Sequence, residues 1–283
     1  LLAHLADRYR HSTPAEWARR LERGELRLDG QLVRIDRVLR AGEWLAWQRP
    51  PWAEPAVPLT FAVLHDDGEL LAVAKPSGLP CVPAGGFLEH TLLARVRRLH
   101  PGAVPAHRLG RGTSGLVLFG LTGKTRAALA AGFREGAIEK TYRALVAGQP
   151  VQDRFPIDVP IGPVPHPTLR EVFAACPGGR PASSRVVVLE RREARSLVEV
   201  SIATGRPHQI RIHLAAAGHP LSGDPLYGPG GLPLADPALP GASGYLLHAL
   251  RVGLQHPTRG RQLELWCLPP PALRRAGEDL TDR

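Results

Sequence analysis

His107-Arg108-Leu109-Gly110-Arg111-Gly112-Thr113-Ser114-Gly115 runs straight into the apolar stretch Leu116-Val117-Leu118-Phe119. A glycine-rich polar loop that feeds a strand lets backbone N–H groups and small side chains come close to a ligand. The loop lacks the Gly-x4-Gly-Lys-Ser/Thr spacing of a phosphate loop, so nucleotide hydrolysis is not indicated. Upstream, residues 61–74 read as two short strands around a turn, and Lys75-Pro76-Ser77-Gly78 ends the second. Leu92, Leu93 and Val96 are spaced for a helix. Downstream, Thr122 is placed to cap a helix through Leu129 and Phe133 that Gly136 ends, and residues 138–148 alternate as a strand around Tyr142. In residues 204–214, Pro207 suits the first position of a helix that Gly218 and Pro220 terminate. His208 and His213 on that helix stand ~140° apart around its axis. They do not form the i,i+4 pair that clamps a metal, so a zinc hydrolase is a poor reading.

Residues 1–48 form a separate module. Leu1, Leu2 and Leu5 suggest an apolar helical face, and Thr13-Pro14-Ala15-Glu16 is a capping-box helix start with Trp17 and Leu21 on one face. Two short alternating runs flank Asp29-Gly30, a hairpin turn. Residues 49–57, rich in proline, read as a stiff linker, and residues 58–283 as the larger domain. No internal repeat emerges.

The chain has 283 residues, 43% hydrophobic, and a formal charge of +10. That length and apolar content suit folded domains with a buried core. The positive balance favours a polyanionic partner such as RNA, although the abundance of Arg, Ala, Gly and Pro is also what a GC-rich genome produces. Cys81, Cys176 and Cys267 are far apart and read as free thiols. No apolar run approaches the ~20 residues of a membrane span, and no signal-peptide pattern opens the chain. The expectation is a monomeric cytoplasmic protein.

The loop at 107–115 resembles the His-Arg-Leu-Asp-x-x-Thr-Ser-Gly signature of the ribosomal and transfer RNA pseudouridine synthases. Other matches follow in chain order across residues 58–270. They are Lys75-Pro76-Ser77-Gly78, the alternating strand from Lys140 through Tyr142 to Gly148, and Gly205-Arg206-Pro207-His208-Gln209-Ile210-Arg211 with His213. Gly223-Asp224, Tyr227-Gly228 and Leu247-His248-Ala249 complete them. Residues 1–48 are similar to the S4 RNA-binding domain that often precedes this family's catalytic domain. The resemblance implies an α+β protein with the pseudouridine synthase fold on a largely antiparallel mixed sheet. It implies structured RNA as partner, with no cofactor and no metal.

Carried onto this chain, the resemblance puts Gly110 at the position of the catalytic Asp, Tyr142 on the active-site tyrosine and Arg211 on the arginine that pairs with the acid. His107, Arg108, Leu109, Thr113, Ser114 and Ile210 fall at substrate-binding positions, although His107 also reads as a loop-fixing residue and Thr113 and Ser114 as loop hydrogen-bonders. Arg19, Arg20, Arg23, Arg27 and Lys75 are the expected RNA contacts, through Coulombic attraction to phosphate. The chemistry needs a carboxylate near the sugar, an aromatic platform for the base and a guanidinium fork on the acid. Gly110 supplies no side chain. Three readings follow: another carboxylate, with Asp224 and Glu135 as candidates, has moved in; the domain binds RNA without isomerising it; or RNA groups or water supply residual catalysis. A buried Arg211 is expected to have an anionic partner, and Gly110→Asp is expected to restore activity if the pocket is otherwise intact.

Overall fold

The structure, a computed structural model, describes residues 1–9, 12–166, 170–239 and 241–278. The chain divides into two compact units, Leu1–Ala53 and Glu54–Arg283. In the first, α1 (Leu2–Arg8) and α2 (Pro14–Glu22) pack with a small sheet of β1 (Leu26–Leu28), β2 (Gln31–Val33) and β3 (Leu45–Trp47), in the order β2-β1-β3. The Thr13 side chain accepts the Glu16 N–H while the Glu16 carboxylate accepts the Thr13 N–H, so two otherwise orphaned donors at the helix start are satisfied. Asp29 and Gly30 both take positive φ (49° and 81°), which suits the twist of a tight hairpin. Leu5, Trp17, Leu21 and Leu26 fill this unit's core.

The Pro-rich stretch does not run free. Arg49 lies over the Trp47 and Trp52 rings at 5.4 and 4.0 Å. Farther on, the Glu54 carboxylate accepts the Glu89 and His90 N–H groups, each at 2.8 Å, inside the second unit.

In chain order the second unit contains β4 (Ala62–Asp66), β5 (Leu70–Lys75), α3 (Leu92–Arg97), β6 (Val104–Pro105), β7 (Ser114–Gly120), α4 (Gly123–Glu135), β8 (Glu139–Ala147) and β9 (Arg154–Ile157). There follow β10 (Ile161–His166), β11 (Arg170–Ala175), β12 (Ser184–Arg192), β13 (Arg195–Ile202), α5 (Gln209–Ala216), β14 (Leu247–Gln255) and β15 (Gln262–Trp266). Among the described residues one large sheet runs β4-β5-β7-β14-β8-β13-β12-β9, with β15 on β14 and β6 on β7, and β10–β11 stands as a separate hairpin. All its pairings are antiparallel except β7 with β14, so the mixed, largely antiparallel sheet is what forms.

Leu116, Val117, Leu118 and Phe119 of β7 are all fully buried. A continuous apolar run is what a strand covered on both faces requires. On β8 the faces separate. Tyr142, Ala144 and Val146 pack with Ile210 and Leu214 of α5, while Arg143 points the other way to Glu199 and Glu278. Burying Ile210 and Leu214 contributes roughly 1.5–3 kcal/mol each.

The helix of residues 204–214 starts later than the sequence suggests. His208 sits in the left-handed region (φ 55°) as the residue before Gln209, and so Pro207 lies outside the helix.

Candidate active site

The three adjacent strands β7, β14 and β8 bring the sequence-distant motifs together. The signature loop enters β7, Tyr245 lies just before β14, and Tyr142 stands on β8. β7 and β14 approach so closely that a Cβ on Gly115 would lie 2.3 Å from the Ala249 carbonyl oxygen, and Gly115 has φ 109°. Only glycine meets both conditions. This is the physical content of the Thr-Ser-Gly part of the signature. The same contact is tied by Ser114, whose Oγ is 2.9 Å from His248 Nδ1, while His248 Nε2 reaches the Cys267 carbonyl at 2.9 Å.

The loop itself is braced from below. Lys75 is 2% exposed, and its Nζ donates to the carbonyls of Pro76, Leu79 and Arg111 at 2.9, 2.8 and 3.2 Å. Ser77 Oγ donates to the Gly112 carbonyl and Gly78 N–H to the Arg111 carbonyl, both at 2.8 Å. Lys75 is therefore not an RNA contact, contrary to the sequence expectation: an ammonium enclosed by three carbonyls of its own chain has no free face for phosphate. Burial draws its pKa down to about 8.

His107 Nε2 accepts the Leu118 N–H at 3.1 Å and its ring lies 4.9 Å from that of Phe133. Burial, with Lys140 nearby, pulls its pKa down to about 4. It is a neutral ring fixing the loop to β7. Leu109 is buried in the core and its N–H donates to Cys81 Sγ. Arg108 and Gly110 are exposed.

Arg211, nearly buried, has the anionic partner it requires. Its Nε and Nη2 donate to Asp224 Oδ2 and Oδ1 at 2.8 and 2.6 Å, a two-pronged fork between side chains 3% and 1% exposed. Asp224 Oδ1 also accepts the backbone N–H groups of Leu226 and Tyr227. Its lone pairs are committed to the arginine and the turn, so Asp224 is not a displaced nucleophile. Glu135 is an exposed residue at the end of α4, paired with Arg134 at 3.5 Å, and does not substitute either.

The guanidinium of Arg211 lies between two tyrosines, its carbon 4.3 Å from the Tyr245 ring centroid and 4.9 Å from that of Tyr227. The Tyr227 hydroxyl donates to the Phe173 carbonyl at 2.6 Å, so it accepts from His208 Nδ1 at 2.7 Å. His213 is held elsewhere, by Ser184 Oγ and the Val159 carbonyl, and does not converge with His208. Tyr142 packs in the same cluster as Ile210 and Tyr245, and burial pushes its hydroxyl up to about 12. Tyr142 and α5 thus share one side of the sheet.

Tyr245 escaped the sequence reading. It is 3% exposed, and its hydroxyl is 3.2 Å from Thr113 Oγ1. A Cβ built on Gly110 would lie 3.0 Å from that hydroxyl, and one on Gly112 would lie 3.0 Å from the ring. No local pattern announces the residue, because its partners in the loop are 132 residues away. A groove of about 620 Å³ lies alongside, lined by Lys75, Ser114, Tyr245, His248, Leu268 and Pro270 among others.

Among the described residues, one group has the composition of a metal centre: His65, Asp67 and His256. His256 Nδ1 accepts the Thr258 and Arg259 N–H groups, so its Nε2 carries the proton and donates to Asp67 at 2.7 Å. That proton occupies the direction a metal would need. In the first unit, Arg19 and Arg23 are exposed. Arg20 is not free for phosphate: it is stacked over the Trp17 and Trp47 rings at 4.5 and 4.2 Å and donates to Ser12. Arg27 donates to Gln48 and to the Gly30 carbonyl.

A family model described as RNA pseudouridylate synthase matches residues 69–216. An uncharacterized RNA pseudouridine synthase of Synechocystis sp. is 42% identical over 276 residues, covering 96% of this chain and 95% of its own length. A ribosomal large subunit pseudouridine synthase D of Nitrosomonas europaea is 37% identical, covering 76% of this chain and 63% of its own. Among solved structures, human RNA pseudouridylate synthase domain containing 1 superposes with a TM-score of 0.62 at 25% identity, covering 78% of this chain and 89% of that one.

Proposed function

Because this chain belongs to the RNA pseudouridylate synthase family, we propose that it isomerises uridine to pseudouridine in structured ribosomal or transfer RNA. It would act as a monomer in the cytoplasm, and the S4-like first unit would add RNA affinity through Arg19 and Arg23. The observation that carries the reading is the shared face: Tyr142 on β8 belongs to the same cluster as Tyr245, and Tyr245 lies against Arg211 of α5 and reaches the signature loop.

The residues divide the work by their chemistry. A uridine buried in folded RNA has to be flipped out, with its lost stacking offset by protein contacts. The Tyr142 ring offers the freed base a stacking surface. Its hydroxyl, pushed up to about 12 by burial, keeps its proton at neutral pH and is no general base. Arg211, held by Asp224, presents a fixed positive charge where negative charge develops. The exposed Arg108 would meet phosphate.

A second reading rests on Gly110. With no side chain there and with Asp224 committed to Arg211, the domain would dock RNA without altering it. Release of tritium from 5-tritiated uridine in transcribed ribosomal and transfer RNA separates the two. Release that Tyr142→Ala, which removes the stacking ring, and Arg211→Ala reduce at least 100-fold is the outcome expected of the isomerase. Salt-sensitive binding without release would establish the docking protein.

A further inference from the structure

We propose that Tyr245 is the reacting group of this site, its phenolic oxygen taking the place of the carboxylate that Gly110 lacks. The inference rests on the isomerase reading and names the atom on which that reading depends.

Three observations carry it. Gly110 does not occupy the left-handed region, so its backbone gives no reason for glycine. What stands against a side chain there is the Tyr245 hydroxyl, 3.0 Å from the Cβ position, and beyond it Thr113 Oγ1 at 3.6 Å. A side chain at position 110 would therefore press directly on the tyrosine hydroxyl, which would have to give by a few tenths of an ångström. Second, the hydroxyl is aimed: it hydrogen-bonds Thr113 at 3.2 Å while the ring is fixed against Arg211 at 4.3 Å. Third, although Tyr245 is itself buried, the residue its hydroxyl abuts, Gly110, is exposed. Arg211, its fork held by Asp224, lies over the face of the same ring.

A phenol can serve as nucleophile at a glycosidic carbon, as in the sialidases. Here the Tyr245 oxygen would bond to the ribose anomeric carbon as the bond from that carbon to N1 breaks, and the phenolic proton passes to N1 of the departing base. The base turns, and its C5 attacks the same carbon. The tyrosine oxygen leaves with the electron pair of its bond and takes the C5 proton. N1 has gained a hydrogen, C5 has lost one, and the phenol is regenerated with no other reactant. The Arg211 charge beside the ring stabilises the negative oxygen as it leaves.

The expectation that Gly110→Asp alone restores activity changes accordingly. The new side chain is crowded by the Tyr245 hydroxyl, and removing that oxygen relieves the contact. The test measures tritium release from transcribed ribosomal and transfer RNA carrying 5-tritiated uridine, together with RNA affinity, for the full chain and three variants. Tyr245→Phe keeps the ring and removes one oxygen. Release reduced at least 100-fold with RNA affinity within threefold is expected, as is at least tenfold recovery in Gly110→Asp/Tyr245→Phe relative to Tyr245→Phe. Gly110→Asp alone is expected to fall below the double variant. Undiminished release by Tyr245→Phe overturns the assignment while leaving the isomerase reading in place. An unmodified chain that releases nothing removes both, and the docking reading then stands.

Discussion

At position 75 a charged side chain that reads as an RNA contact serves instead to hold the loop of residues 107–115. The Lys75 ammonium bridges the end of β5 to the Arg111 carbonyl, and with Ser77 and Gly78 it fixes the backbone on which Gly110 and Thr113 sit. Lys75→Met keeps the stem and removes the donors. It leaves the Pro76 and Leu79 carbonyls without their ammonium, whereas Arg111 retains the Gly78 N–H. The expected cost is about 2–4 kcal/mol in urea unfolding. The salt dependence of RNA binding by the folded fraction should stay unchanged, since no phosphate contact is lost. A shallower salt slope would return Lys75 to the RNA surface.

At the level of elements, the β7–β14 contact sets the geometry of the site. These strands are parallel over only two residue pairs, His248 with Ser114 and Ala249 with Gly115. β14 then continues against β15. Gly115→Ala drives a methyl into the Ala249 backbone at a φ that alanine avoids. The expected loss is about 3 kcal/mol or more, read as a lower Tm, with tritium release falling even in the protein that remains folded. An unchanged Tm would mean that the strands separate at no cost. The later start of α5 has a contact of its own: His208 takes a left-handed conformation in which its ring meets the Tyr227 hydroxyl, and this outweighs the helix-starting preference of Pro207.

Over the whole molecule, neutral histidines that are buried (His248) or half-buried (His107, His208) make stability depend on pH. His107, His208 and His248 are each pulled down to about 4, by burial first. Unfolded, each titrates near ~6.5. Between these values the unfolded chain binds protons that the folded chain does not. The stabilisation is therefore complete above about pH 6.5 and is lost as pH falls toward 4, by about 1.4 kcal/mol per pH unit for each ring. The urea midpoint should drop between pH 7 and pH 5, and a flat midpoint would show that the three rings are hydrated.

What the sequence by itself determined was the order and type of the elements: the Thr13 capping box, the Asp29-Gly30 turn, the helix between Thr122 and Gly136, the alternation around Tyr142. Each depends on groups a few residues apart, so each is legible locally. The tertiary structure alone decided that Asp224 belongs to Arg211, that Lys75 is enclosed, that Arg20 lies over both the Trp17 and Trp47 rings, and that the Tyr245 hydroxyl stands against Gly110. These depend on strand order and register, which bring residue 245 against residue 113 across most of the chain, and no local spacing encodes that distance.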